Sequence, residues 1–227
     1  MKLLSNTTHK EVAVIDDLEA RIIYQKNGLL VVDKPFNIPT SGRSLDDDDC
    51  LQYWLMQRHG TMVWAVHQLD ADTSGVNLFV TEKRLVSIYK KALEDHNSVK
   101  EYLAIVHGNP TWNQCEEFGA IGKIDQRSLG ITPDGKSAHS QFTVTKKGPE
   151  HSLVTVNIFT GRTHQIRIHL SHLGHPIVGE EWYCNPPCNR HPRQALHCHM
   201  VHLPQMEQTF IAPLATDLKR LADELQL

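Results

Sequence analysis

Residues 21–35, RIIYQKNGLLVVDKP, set two short apolar runs on either side of Lys26-Asn27-Gly28. That tripeptide reads as a turn between two short β segments. The pattern recurs. MVWAVHQL, GVNLFV, VKEYLAIVHG, SAHSQFTVTKK and SLVTVNIFT are short, rich in β-branched and aromatic residues, and bounded by turn formers. Strand-like segments thus adjoin one another more often than they alternate with helices. That order argues against a regular βαβ wind and predicts an α+β fold built on a central mixed, mainly antiparallel sheet with flanking helices.

Helical spacing is found at four places. Leu51, Trp54 and Leu55 fall at i, i+3 and i+4, so residues 49–58 read as a helix. The acids Asp46 to Asp49 ahead of it suit its positive N-terminal end, with metal binding as the alternative use. Thr81 stands where it can cap a helix carrying Leu85, Ile88, Tyr89 and Ala92. GRTHQIRIHLSHLG turns Ile166, Leu170 and Leu173 inward and closes at Gly174, with Pro176 beyond. From Pro213 onward, Leu214, Leu218, Leu221 and Leu225 form one stripe of an amphipathic surface helix. No repeat or Gly/Ser linker divides the chain, so residues 1–20 read as a loosely attached arm and 21–227 as one domain.

Charge and cysteine usage narrow the function classes. Lys plus Arg number 23 against 26 Asp plus Glu, a net −3, which leaves no overall basic coat for a polyanion. The acidic run alone supplies −4, so a local basic cleft remains open. No stretch approaches the roughly 18 apolar residues of a membrane span, and the polar opening MKLLSNTTHKEV lacks a signal-peptide core. Five cysteines, an odd number, point to a reducing cytoplasm and no disulfide framework.

Four segments offer chemistry; one of them is KEYLAIVHG, where Tyr102 sits in a strand among the core residues Leu103, Ile105 and Val106 and half-buried packing is the plainer use. HQLDADTSG places Asp70 after an apolar strand and before a turn closed by Gly75, where a reactive carboxylate is held rigidly; capping of backbone N–H groups by Asp70 and Asp72 is the plainer use. In GRTHQIRIHL, His164, Arg167 and Ser171 share a helix face opposite the apolar stripe. A cation fixed there can orient a carboxylate and keep it ionised; a solvated polar face is the alternative. The last is the group Cys184, Cys188, His191, His197, Cys198 and His199. Its spacing matches none of the paired C-x2-C or H-x3-H zinc arrangements, so these read as loop and core residues, and no metal is expected.

Taken in order, VVDKP, HQLDADTSG, KEYLAIVHG, GKSAH, GRTHQIRIHLSHLGHPIVGE and ALHCHMVHL resemble the RluA-type family of RNA pseudouridine synthases, over about residues 21–213. The resemblance implies a single catalytic domain whose sheet is crossed by a substrate cleft. It also implies isomerisation of a uridine in RNA without cofactor or metal; tRNA or rRNA is the expected substrate, and a monomer is expected in the cytoplasm that the cysteine usage points to. Carried over by motif, Asp70 is the catalytic carboxylate, Tyr102 stacks on the target base and takes part in removing its carbon-5 proton, and Arg167 pairs with the aspartate. Leu196 walls the uracil pocket; His67, Gln68, Thr73, Arg162 and His164 complete the substrate contacts. Lys34-Pro35 matches a structural motif. Gln68 departs from the family, which usually has arginine there, and a neutral amide brings no charge to the phosphates. Glu180 and Glu181 stand where the family has aspartate and are expected to lie apart from the chemistry. Base flipping into the cleft follows from the reaction, and Lys136, Lys146, Lys147 and Arg162 are the expected phosphate contacts, few in number.

Overall fold

The computed structural model describes residues 18–44, 47–126 and 128–227. Most of the predicted arm, and Asp46 of the acidic run, lie outside these. Leu18, at the end of the arm, is buried against the rest of the chain.

In chain order the strands are β1 (Ile22–Lys26), β2 (Leu29–Lys34), β3 (Trp64–Ala65), β4 (Ser74–Val80), β5 (Val99–His107), β6 (Gln114–Glu117), β7 (Ile121–Lys123), β8 (Leu129–Ile131), β9 (Ser140–Lys147), β10 (His151–Ile158), β11 (Leu196–Leu203) and β12 (Gln208–Ile211). The helices are α1 (Leu51–His59), α2 (Lys83–Glu94), α3 (Gln165–His172) and α4 (Thr216–Glu224). Among the described residues ten strands form one sheet in the order β1-β2-β4-β11-β5-β10-β9-β6, with β3 on β4 and β12 on β11. β7 and β8 make a separate hairpin. The β4–β11 pair is parallel and the other described pairs are antiparallel. The fold is α+β, mixed and mostly antiparallel, as the segment order predicts.

Alternation along the strands builds the two larger of the three apolar clusters among the described residues. In β2, Leu29 and Val31 face the larger apolar cluster while Leu30 and Val32 face a smaller one. Successive side chains of a strand point to opposite faces, so a strand covered on both sides buries every residue. β4 does so along its whole length. The smaller core is closed by Leu51 and Leu55 of α1, the larger by Leu218 and Leu221 of α4 together with α2 and α3. The β1–β2 turn has Asn27 and Gly28 at φ 53° and 77°, the two positive angles of a tight two-residue hairpin turn.

Local details depart from the pattern reading. Ile88 is 44% exposed, and the buried face of α2 is formed by Leu85, Tyr89, Ala92 and Leu93. Thr81 does not cap α2; its hydroxyl donates to the Gly28 carbonyl, at 3.5 Å, and Glu82 occupies the cap. Within MVWAVHQL only Trp64 and Ala65 are strand, because the chain then leaves the sheet to form the Asp70 loop. β11 lies at the centre of the sheet, although its sequence LHCHMVHL does not read as a buried strand. A core histidine is tolerated there because it is neutral. His197 is fully buried, hydrogen-bonds Ser74 Oγ at 2.9 Å, and is pushed down to about 4, mainly by burial.

Gly75 permits the parallel contact. Its φ is +110°, and a Cβ would lie 2.1 Å from the Cys198 carbonyl oxygen across β4–β11. Gly75→Ala is therefore expected to cost on the order of 3 kcal/mol from the clash and the positive φ together, read as a lowered denaturation midpoint. A change below 1 kcal/mol would mean the two strands separate more easily than this packing indicates.

Candidate active site

Asp70 sits on the loop between β3 and β4, where two buried cations clamp the backbone around it. Lys34 is fully buried, and its Nζ donates to the carbonyls of Pro35, Ile38 and Ala71 at 2.9, 2.7 and 2.8 Å. Burial, with the Arg193 charge next, pushes Lys34 down to about 7 against the pull of Asp72, Asp70 and Asp33. From the other side Arg193 donates to the Asp72 carbonyl at 2.8 Å while its Nε and Nη2 grip Asp217 of α4 at 2.7 and 3.0 Å. The loop is thus tied to β2 and to the C-terminal helix through main-chain atoms. The Asp70 carboxylate itself is left 29% exposed.

Arg167 enters from the first turn of α3. That helix starts late: His164 takes the left-handed conformation at φ 55° and stands as its N-cap. Arg167 Nη1 donates to Asp70 Oδ2 at 3.2 Å, joining two residues 97 positions apart. Its other nitrogens are committed elsewhere. Nε and Nη2 donate to the two oxygens of Glu180, each at 2.8 Å, and Glu180 is fully buried. A bidentate pair of this kind fixes the plane of the guanidinium. The Trp182 and Tyr183 rings flank it, each 5.2 Å from Cζ. Burial opposes the ionisation of Glu180, but the Arg167 hydrogen bonds and charge, with the Trp182 and Tyr183 amides, overcome it and hold the carboxyl below its usual value. Glu180 is therefore part of the site, contrary to the expectation that it lies apart.

Asp70 faces a cleft of about 700 Å³. Tyr102 on β5, Leu196 at the start of β11, Ile158 and Ile166 supply apolar walls, and Lys90 and Lys100 line it as well. Tyr102 is buried, and burial first, then the Cys198 thiol beside it and the Asp70 charge, hold its hydroxyl well above the ordinary phenol value.

The remaining predicted substrate contacts fall into two groups. His164, Arg162, His67 and Gln68 line the cleft. His164 hydrogen-bonds the Tyr183 hydroxyl at 2.7 Å and lies 3.8 Å from Asp70, its basicity lowered mainly by burial. Arg162 donates from Nε to the Ser137 carbonyl at 2.8 Å, and Gln68 accepts from Ser41 Oγ at 3.1 Å on the rim. His67 is pushed down to about 4 by burial and accepts the Leu78 N–H on Nε2, so it braces the loop as well as lining the cleft. Thr73 is buried, its hydroxyl accepting from Gln194 Nε2 at 2.9 Å. Gln194 also reaches Asp70 Oδ2 at 3.5 Å. Gln194 and Arg193 carry no signal in the sequence, because each meets its partner on the Asp70 loop across the fold without a periodic pattern.

The clustered cysteines and histidines disperse. Cys188 Sγ accepts the Gly179 N–H and meets His107, Cys198 lies opposite Tyr102, and His199 hydrogen-bonds the Ala212 carbonyl. Among the described residues no three His, Cys, Asp or Glu side chains converge on a metal position.

The family model described as RNA pseudouridylate synthase matches residues 28–172. The chain is 28% identical over 229 residues to ribosomal large subunit pseudouridine synthase C of Haemophilus ducreyi, covering 93% of this chain and 71% of that protein. It is 40% identical over 158 residues to an uncharacterized RNA pseudouridine synthase of Helicobacter pylori, covering 66% of this chain and 63% of that one. A solved structure, human RNA pseudouridylate synthase domain containing 4, superposes with a TM-score of 0.78 at 21% identity, over 96% of this chain and 98% of its own, which establishes the likeness of fold.

Proposed function

The chain belongs to the RNA pseudouridylate synthase family and is an isomerase acting on RNA; from that premise we propose that Asp70 is its catalytic carboxylate, working on a uridine of ribosomal or transfer RNA flipped into the cleft. The observation that carries this reading is the Asp70–Arg167 contact at 3.2 Å on the cleft wall. Residues 21–227 act in it as one catalytic domain, a monomer of the cytoplasm. Among the described residues no helix is long and apolar enough to cross a membrane.

The reaction breaks the bond between ribose carbon 1′ and uracil nitrogen 1, turns the base, and rejoins it through carbon 5. Asp70 serves the first step either as a nucleophile at carbon 1′ or as the charge that stabilises a positive sugar. Both roles need an anion in a partly dry cleft, and an anion there needs a cation beside it. Arg167 fills that need without moving, since Glu180 holds its plane. Tyr102 offers its face to the uracil. Because its surroundings keep the Tyr102 hydroxyl protonated, it takes up the carbon-5 proton only while passing its own to an acceptor. Arg162 and His164 border the cleft where the nucleotide enters. Flipping costs a few kcal/mol, less in an RNA loop where the base is already partly unstacked.

The test is twofold. Purified protein incubated with 5-tritiated uridine RNA is expected to release tritium to water. Pseudouridine mapping of ribosomal and transfer RNA, from cells with and without the chain, is expected to reveal a position modified only in its presence. Failure to release tritium from any RNA fraction would refute the assignment of the reaction to this cleft.

A further inference from the structure

Three neighbouring strands end together beside the cleft. The registers Glu117↔Ser140 and Ser140↔Ile158 set Phe118, His139 and Phe159 in one row just past the ends of β6, β9 and β10. Their rings form a column. Phe118 and His139 stack with centroids 4.2 Å apart and planes 19° apart, and His139 and Phe159 with 4.3 Å and 20°. The column is at the surface: Phe118 is 61% exposed and Phe159 44%.

The column is also braced. The Phe159 N–H donates to the His139 carbonyl at 3.1 Å, and the His139 N–H donates to Thr160 Oγ1 at 2.9 Å. Gln165 Nε2, on α3, donates to the same His139 carbonyl at 2.9 Å, which ties the column to the helix that carries Arg167. Glu116 Oε2 lies 3.6 Å from the His139 ring nitrogen on the side away from the main chain. Two large apolar rings held this firmly while exposed mark a contact surface more than a packing accident.

We infer that this column is a stacking subsite for the RNA, where the base of a nucleotide flanking the target uridine continues the stack on Phe159. The inference rests on the reading of the Asp70 cleft as the uridine site. Its ground is continuity: Phe159 has one face on His139 and also lines the cleft, between Ile158 and the loop of Arg162 and His164. A bound strand leaving the cleft on this side meets an aromatic ring first. Every base has a π-face, so a phenyl ring holds a flanking base whatever its identity. Arg162, on the same wall, adds a positive charge suited to that nucleotide's phosphate. A stacked neighbour offsets part of the stacking the target base gives up on flipping.

The experiment uses the full chain and, as probe, total RNA from cells lacking the chain, labelled with 5-tritiated uridine. Phe159→Ala is expected to raise KM for tritium release roughly tenfold, the loss of one base–aromatic stack, with the effect on KM and not on kcat. Phe159→Tyr keeps the ring and is expected to restore the wild-type KM, and Phe159→Leu, which fills the space without a π-face, is expected to behave as Phe159→Ala. If Phe159→Ala does not fold, the Tyr and Leu variants decide the matter between them. In the Asp70→Asn background, ultraviolet crosslinking is expected to attach RNA to the peptide containing Phe159. An unchanged KM in Phe159→Leu, an equal rise in Phe159→Tyr, or crosslinks confined to other peptides would overturn the inference. So would loss of self-association or of a protein partner in place of the KM effect. If the wild-type chain releases no tritium, it is the reading of the cleft that fails, and crosslinking at Phe159 still reports on the subsite.

Discussion

Asp70→Asn is expected to lower tritium release from 5-tritiated uridine RNA by about four orders of magnitude or more, the scale seen when the reacting group of an active site is removed. Fold and RNA binding are expected to survive. The loop around Asp70 is held through the carbonyls of Ala71 and Asp72 by Lys34 and Arg193, and neither bond involves the Asp70 side chain. Asparagine matches aspartate in shape and keeps an oxygen that can accept from Arg167. The guanidinium does not lose its main partner, because Glu180 binds it with two 2.8 Å hydrogen bonds. A thermal midpoint within a few degrees of wild type, with turnover gone, is the expected combination. Turnover within tenfold of wild type would remove the Asp70 carboxylate from the reaction and leave the cleft without an obvious chemical group.

The parts of this arrangement legible in the sequence are those whose physics is local. The Asn27-Gly28 turn, the alternation of β9 and β10, and the Gly174 ending of α3 each depend on a few adjacent residues. The sequence motifs also named both ends of the Asp70–Arg167 contact. Residues whose partners lie far away were not legible. Arg193 braces Asp72 across 121 positions and Gln194 meets Thr73 across the same span, and no periodicity announces either. β11 was hidden for another reason. Its three histidines look polar in a hydropathy pattern, yet a neutral imidazole with a hydroxyl partner is an acceptable core group. In α2 the spacing Leu85, Ile88, Tyr89, Ala92 fits a stripe centred near Leu85, whereas the buried face is rotated toward Tyr89 and Leu93, which leaves Ile88 outside it. Glu180 reads in the sequence as a peripheral substitution, since a carboxylate one carbon longer carries no sign of whether it is buried.

The pair that Glu180 makes can be tested on stability as well as on turnover. Arg167→Met removes the cation from a carboxylate that is fully buried, leaving it only the Trp182 and Tyr183 amides. Breaking a buried ion pair from one side costs about 3–5 kcal/mol, so the urea midpoint at pH 7 is expected to fall by that equivalent. The pH dependence should change sign with it. In the wild type Glu180 is held below its usual value, so its contribution is full above the unfolded-state value of about 4.3 and is lost as pH falls through the lower folded value. Without Arg167, burial is no longer outweighed and the folded value rises above the unfolded one. Between those two values the folded chain binds more protons than the unfolded chain, so the variant gains stability as pH falls. The gap between variant and wild type should therefore narrow from pH 7 to pH 5. Adding Glu180→Met removes the stranded charge and is expected to return most of the lost stability. Turnover should not return, because Asp70 still lacks the guanidinium 3.2 Å away. A double variant that regains both stability and activity would reduce Arg167 to a partner of Glu180 alone.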